Sequence, residues 1–140
     1  MRNSCAVGAI LRHNPSMNLE KLDWVKLGAV GRLADKVLPV AVQDVESGDV
    51  VMVAYANREA VMASVAHRQA VFWSTTKDAL HHKGLTSGDF LDLVEVRVNC
   101  EGNSLLYRVR LGGEGACHVP DARGIPHRSC FFRQLQDVCA

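Results

Sequence analysis

The sequence has almost no net charge: 16 Lys and Arg against 15 Asp and Glu leave a formal +1. That excludes the broad cationic surface that nucleic acid or an anionic membrane face requires. It has no apolar run near the roughly 18 residues of a membrane-crossing helix. It also has no C-x-x-C pair, and its five cysteines, at positions 5, 100, 117, 130 and 139, are odd in number and widely spread. A disulfide-stapled secreted scaffold is thereby excluded, and reduced thiols or metal thiolates in a cytoplasmic protein are expected. No internal repeat or low-complexity tract is visible. What is present is an ordinary globular balance, 140 residues with 48% apolar and 22% charged side chains. One compact domain with a small-molecule partner, no nucleic acid and no membrane, is the expectation.

The first 18 residues, with Asn14-Pro15-Ser16, show no clear periodicity and read as a loose arm ahead of a single domain over 19–140. Between Leu19 and Leu33 apolar residues recur mostly at helical spacing, but Gly28 and Gly31 weaken it, so a broken helix is expected. Leu38 to Val42 and Val50 to Tyr55 are β-rich runs joined by a turn-forming stretch, Asp44 to Asp49, which predicts a hairpin. Asn57 can cap a helix from Arg58 to about His67 whose buried stripe would be Ala60, Val61, Ser64 and Val65. Ala70 to Ser74 reads as a strand. Leu93 to Val98 and Leu105 to Leu111 alternate around the turn Glu101-Gly102-Asn103 and predict a second hairpin. Strands in meander order with one or two helices give an α+β fold with a mainly antiparallel sheet.

Three cysteines carry the first chemical signal. Cys100 closes a predicted strand, Cys117 is followed at once by His118, and Cys130 sits in Arg128-Ser129-Cys130-Phe131. Three thiolates would make most of a tetrahedral zinc shell and leave one position for water, the catalytic pattern. The spacing alone favours three buried thiols that only fill space. His118 could be a fourth ligand, a general base or a loop histidine, and its ordinary pKa near about 6.5 suits proton transfer beside a metal-activated water. Lys83-Gly84-Leu85-Thr86-Ser87-Gly88 has the composition of a phosphate-holding loop, or of a plain polar connection. The adjacent His81 and His82 read as a solvated turn.

Taken in order, Val42-Gln43-Asp44, Tyr55-Ala56-Asn57-Arg58-Glu59-Ala60, Phe72-Trp73-Ser74, Lys83-Gly84 with Thr86-Ser87-Gly88, Val94-Glu95-Val96-Arg97, Ala116-Cys117-His118 and Arg128-Ser129-Cys130-Phe131 resemble the phosphoribosyl-AMP cyclohydrolases of histidine biosynthesis. The resemblance runs from about Leu22 to Phe132. It implies an intertwined homodimer with zinc at the subunit interface, held by Cys100 of one chain and by Cys117 and Cys130 of the other. It implies hydrolysis of the N1–C6 bond of the purine ring in phosphoribosyl-AMP, a cyclic amidine, by zinc-activated water with His118 moving the proton. Trp73, Ser74, Lys83, Thr86, Ser87, Gly88 and Arg128 would hold the nucleotide-like substrate.

The chain departs from the family pattern near these positions. Where the family shows Asp-Cys-Asp-x-Asp for magnesium, this chain reads Asn99-Cys100-Glu101-Gly102-Asn103, so Glu101 is the one carboxylate left and magnesium is expected to bind weakly. Leu85 and His81 stand where the family has Glu and Trp, and Val119 to His127 is several residues longer than the usual link. Two other readings therefore stay open: a paralogue acting on a different cyclic amidine in specialised metabolism, and a non-catalytic, zinc-stabilised dimer.

Overall fold

The computed structural model describes residues 16–135. Most of the expected arm, together with Cys5 and Cys139, lies outside the described residues. In chain order the elements are β1 (Ser16–Met17), α1 (Lys26–Gly31), β2 (Leu38–Asp44), β3 (Val50–Ala56), α2 (Arg58–His67), β4 (Val71–Ser74), β5 (Ala79–His82), β6 (Leu91–Val98), β7 (Leu105–Leu111) and β8 (Gln134–Leu135). A mainly antiparallel α+β fold is what these form.

Both expected hairpins are present. β2 and β3 run antiparallel with Leu38 opposite Ala56, and β6 and β7 run antiparallel with Val98 opposite Leu105. The meander order is not what joins them. The sheet order is β3-β2-β7-β6, and β2 pairs with β7 in parallel, Val40 beside Leu105 and Asp44 beside Val109. The physical reason is a match of buried faces: β2 buries Val40, Val42 and Asp44, and β7 buries Leu105, Tyr107 and Val109. In this register the two apolar rows become one surface.

α2 begins where its cap predicts, with the Asn57 side chain accepting the Ala60 N–H at 2.8 Å. It packs on β4 and buries Ala60 and Ser64, while Val65, expected in that stripe, is 59% exposed. The close approach of α2 needs small residues: the Ser64 hydroxyl lies 2.9 Å from both the N–H and the carbonyl of Val71, so the buried strip is narrow. The core continues through Phe72, stacked on Tyr107 at 5.7 Å. The expected break in the first helix is also present, a 3-10 turn at Leu19–Lys21 followed by α1, and α1 buries none of its residues. Ser16–Met17 pair in parallel with β8. No helix among the described residues is long and apolar enough to cross a membrane.

Candidate active site

Past the end of β7 the chain doubles back on itself. A Cβ on Gly115 would lie 2.4 Å from the carbonyl oxygen of His127, so glycine is what lets the two passes run side by side. They are then tied by Ala116 N–H to Arg128 O and Cys117 N–H to His127 O, both 3.1 Å. The returning segment is anchored to the first hairpin at three successive residues. Arg128 makes an ion pair with Asp44, the Ser129 hydroxyl donates to Val50 O at 3.1 Å, and Cys130 N–H donates to Val51 O at 2.7 Å. Asp44 is fully buried and also accepts the Glu46 N–H and the Ser47 hydroxyl, each at 3.1 Å. Burial alone would raise its pKa, but those donors and Arg128 together hold the carboxyl below its ordinary value.

This folding sets two of the three candidate thiols next to each other. Burial pushes the Cys130 thiol up to about 11, the neighbouring Cys117 thiol adds to the rise, and the Lys83 ammonium opposes it. Cys117 is buried and also accepts the Val119 N–H at 3.4 Å.

Cys130 opens into a cleft of about 680 Å³, lined also by Trp73, Ser74, Lys83 and His118. A second cleft of about 350 Å³ adjoins it, lined by Gly84, Leu85, Thr86 and Ser87, and the two share His81, Lys83 and His118. Trp73 is held by its indole N–H donating to Asp78 at 3.0 Å, with Asp78 in the left-handed region at φ 49°. The 83–88 loop is tight. Gly84, at φ +96°, could not carry a Cβ, which would sit 2.5 Å from Phe90 N, and Gly88 N–H closes the loop onto Gly84 O at 2.8 Å.

Of the residues singled out from the sequence, Trp73, Ser74, Lys83, Thr86, Ser87, His118 and Cys130 line these joined clefts. Gly88 shapes the loop and Arg128 is engaged with Asp44; neither lines a cleft. Cys100 is exposed in the β6–β7 turn, next to the end of β7 where Leu105 pairs with Val98. Cys117 lies beyond the other end of β7, a strand roughly 20 Å long. Within one chain Cys100 and the Cys117–Cys130 pair therefore occupy opposite ends of the sheet, and no cluster of three metal-ligating side chains forms among the described residues. Glu101 stays with Cys100: it accepts the Asn103 side-chain amide at 2.9 Å.

The structure also corrects and extends the site. His81 and His82 are not a solvated turn but half of β5, with His81 facing both clefts. The β4–β5 connection contributes Thr75, Thr76 and Lys77 to the larger cleft, and α1 contributes Lys26. The sequence signal for that turn is a polar tetrad, Thr75-Thr76-Lys77-Asp78, between two β-rich runs.

The family model described as phosphoribosyl-AMP cyclohydrolase matches residues 52–132, a span that holds Cys100, Cys117 and Cys130 and the lining of both clefts apart from Lys26. A protein of that name from Halobacterium salinarum is 44% identical over 101 residues, 72% of this chain and 73% of its own. Another from Chloroherpeton thalassium is 31% identical over 127 residues, 91% of this chain and 82% of its own. The histidine biosynthesis bifunctional protein of Thermus thermophilus is 41% identical over 99 residues, 71% of this chain and 43% of its own length.

Proposed function

The chain belongs to the phosphoribosyl-AMP cyclohydrolase family, and from that premise we propose that it opens the N1–C6 bond of phosphoribosyl-AMP, or of a closely related purine nucleotide, with zinc held across a homodimer. The family is one of enzymes, which sets aside the non-catalytic dimer. The observation that carries the reading is the meeting of Cys130, His118, Lys83, Trp73 and Ser74 on one cleft of about 680 Å³, with Cys117 behind it.

The donor set fits zinc. Burial and the neighbouring Cys117 make the Cys130 thiol harder to ionise, and a divalent cation between the two sulfurs would favour the thiolate. The described residues of one chain bring two sulfurs together, and the exposed Cys100 of a second copy is the natural source of a third. Apolar surface left open on the described chain, including Trp24, Val25, Leu27, Val53 and Phe131, supports association. Zinc bound there supplies Lewis acidity that makes water nucleophilic near neutral pH.

The chain's own residues do the rest. His118, exposed where the two clefts meet, is placed to move a proton between the attacking water and the departing ring nitrogen. Trp73, fixed by Asp78, walls the purine, while Lys83 and the hydroxyls of Thr86 and Ser87 take up phosphate. A second reading, action on another cyclic amidine, is favoured by Leu85 and His81, which line the smaller cleft where the family pattern has Glu and Trp. Complementation of a histidine auxotroph lacking the cyclohydrolase, with turnover of phosphoribosyl-AMP and elemental analysis of the purified protein, tests both. Growth, turnover and one zinc per chain are expected. A stable protein without zinc overturns the metal assignment, and a zinc protein inert on phosphoribosyl-AMP favours the second reading.

A further inference from the structure

The substrate read above carries a phosphate monoester at each end, and the loop at 83–88 accounts for one of them. The other end of the larger cleft is built differently. Its lining includes Lys26 from α1 and Thr75, Thr76 and Lys77 from the β4–β5 turn, none of them part of that loop. β5 separates the two places: Lys77 lies in the turn before Ala79, and Lys83 follows His82, so roughly 10 Å of strand runs between them. The span is of the same order as a purine flanked by two ribosyl phosphates.

Charge points the same way. The two linings together hold Lys26, Lys77, His81, Lys83 and His118, and neither contains a carboxylate. Asp78 is the acid nearest in sequence, and it accepts the Trp73 indole N–H instead of neutralising a lysine. The turn is also preformed, because the Ser74 hydroxyl accepts the Lys77 N–H at 3.2 Å. Two hydroxyls and a lysine on a held turn match the donors a phosphate takes.

Resting on the reading of the substrate as a purine nucleotide with two phosphates, we propose that Thr75, Thr76 and Lys77, with Lys26 from α1, form a second phosphate subsite. It is distinct from the 83–88 loop, and the purine spans the two with its reacting edge at His118 and Cys130. His81 sits between them. Burial first, then the nearby Lys83 and Lys77, hold its pKa below the ordinary histidine value.

The test separates binding from turnover. Wild-type, Lys77→Ala and Ser87→Ala proteins, each loaded with zinc, are compared for KM and kcat with phosphoribosyl-AMP and for inhibition by 5′-AMP, which carries a single phosphate. Lys77 is exposed in a turn, so its loss leaves the fold intact. Each substitution is expected to raise KM roughly 10- to 100-fold with little change in kcat. The 5′-AMP inhibition constant should respond to only one of them, since one phosphate occupies one subsite. A KM unchanged in Lys77→Ala but raised in Ser87→Ala sinks the subsite while leaving the function standing. If the wild type does not turn phosphoribosyl-AMP over, calorimetric binding of that compound decides instead. Weaker binding by Lys77→Ala keeps the subsite and removes the reaction, and equal binding by both proteins removes the subsite.

Discussion

The two ends of the four-stranded sheet hold the same chemical resource, a cysteine thiol, in opposite settings. At the Cys117–Cys130 end the backbone is pinned from residue 116 to residue 130 by hydrogen bonds and by the Asp44–Arg128 pair, and Cys130 faces a cleft beside the buried Cys117. At the Cys100 end the polar groups of the turn bond to one another, and the thiol is left exposed, in no cluster of three metal-ligating side chains among the described residues. One end, a socket, is held by tertiary contacts within the chain; among the described residues the other has no such anchoring around its thiol. In a two-fold dimer a residue of one copy that meets a second residue of its partner does so twice, so one such pairing would complete two sites.

The largest effect should follow from breaking either side of that pairing. Cys100→Ser, Cys117→Ser and Cys130→Ser should each lose zinc by elemental analysis, and activity with it. The comparison becomes sharper when Cys100→Ser and Cys117→Ser chains are unfolded together and reassembled. Half the dimers are then mixed, each with one intact site of two, so about one quarter of wild-type activity should return. No recovery would place all three ligands in a single chain, against the separation described above. The next largest effect is expected at His118, which lines both clefts and which the proposed mechanism keeps outside the metal shell. His118→Ala should keep zinc and lower kcat by roughly 10²- to 10⁴-fold with little change in KM. Loss of zinc in that variant would make His118 a ligand.

How much of this could be read from the residues alone differs between the two ends for a physical reason. The β6–β7 hairpin around Cys100 is local, and the alternation of Leu105 to Leu111 placed its strand with the observed boundaries. The socket is non-local. Asp44 and Arg128 are 84 residues apart, and no periodicity announces that a carboxylate at the end of β2 will be buried against a returning loop. The same holds for the parallel pairing of β2 with β7, which depends on matching buried faces of distant strands. Val65 was misplaced because helical spacing gives the direction of a stripe but not its width, and Ser64 draws α2 close enough for only a narrow one. The three cysteines were found by type and family pattern; nothing in their spacing said that they would stand at opposite ends.

A smaller effect tests what holds the socket. Removing Arg128 leaves Asp44 buried with two other donors, and Arg128 is itself half exposed, so Arg128→Ala should cost only about 1–2 kcal/mol by urea unfolding. Asp44 adds a pH dependence of known sign. Its folded pKa lies below its ordinary value of 3.8, so its contribution is complete above that value and is lost as pH falls through the lower folded one. Wild-type stability should therefore drop more steeply than that of Asp44→Asn as pH falls below about 4. Parallel curves would mean that the pair contributes nothing to stability.

The smallest effect belongs to the Cys100 turn and concerns magnesium. A magnesium site needs several hard oxygens, preferably anionic, free to enter an octahedral shell. Here Asn99 Oδ1 already accepts the N–H groups of Asn103 and Ser104 at 2.9 and 3.0 Å, and Asn103 Oδ1 accepts the Asn99 amide at 2.7 Å. The carboxylate of Glu101 is tied to the Asn103 amide as well. Binding the ion would break these bonds to gain a single negative charge, so magnesium at about 1 mM should change turnover of the zinc enzyme by less than about twofold. The comparison that sharpens this is Asn103→Asp, which removes the amide donor from Glu101 and sets two carboxylates side by side, a repulsion that a divalent cation relieves. That variant should gain a measurable magnesium response in thermal unfolding where the parent shows none. Saturable stimulation of the parent at micromolar magnesium would show instead that the turn opens to bind the ion, and that the Cys100 end is as much a built site as the socket it faces.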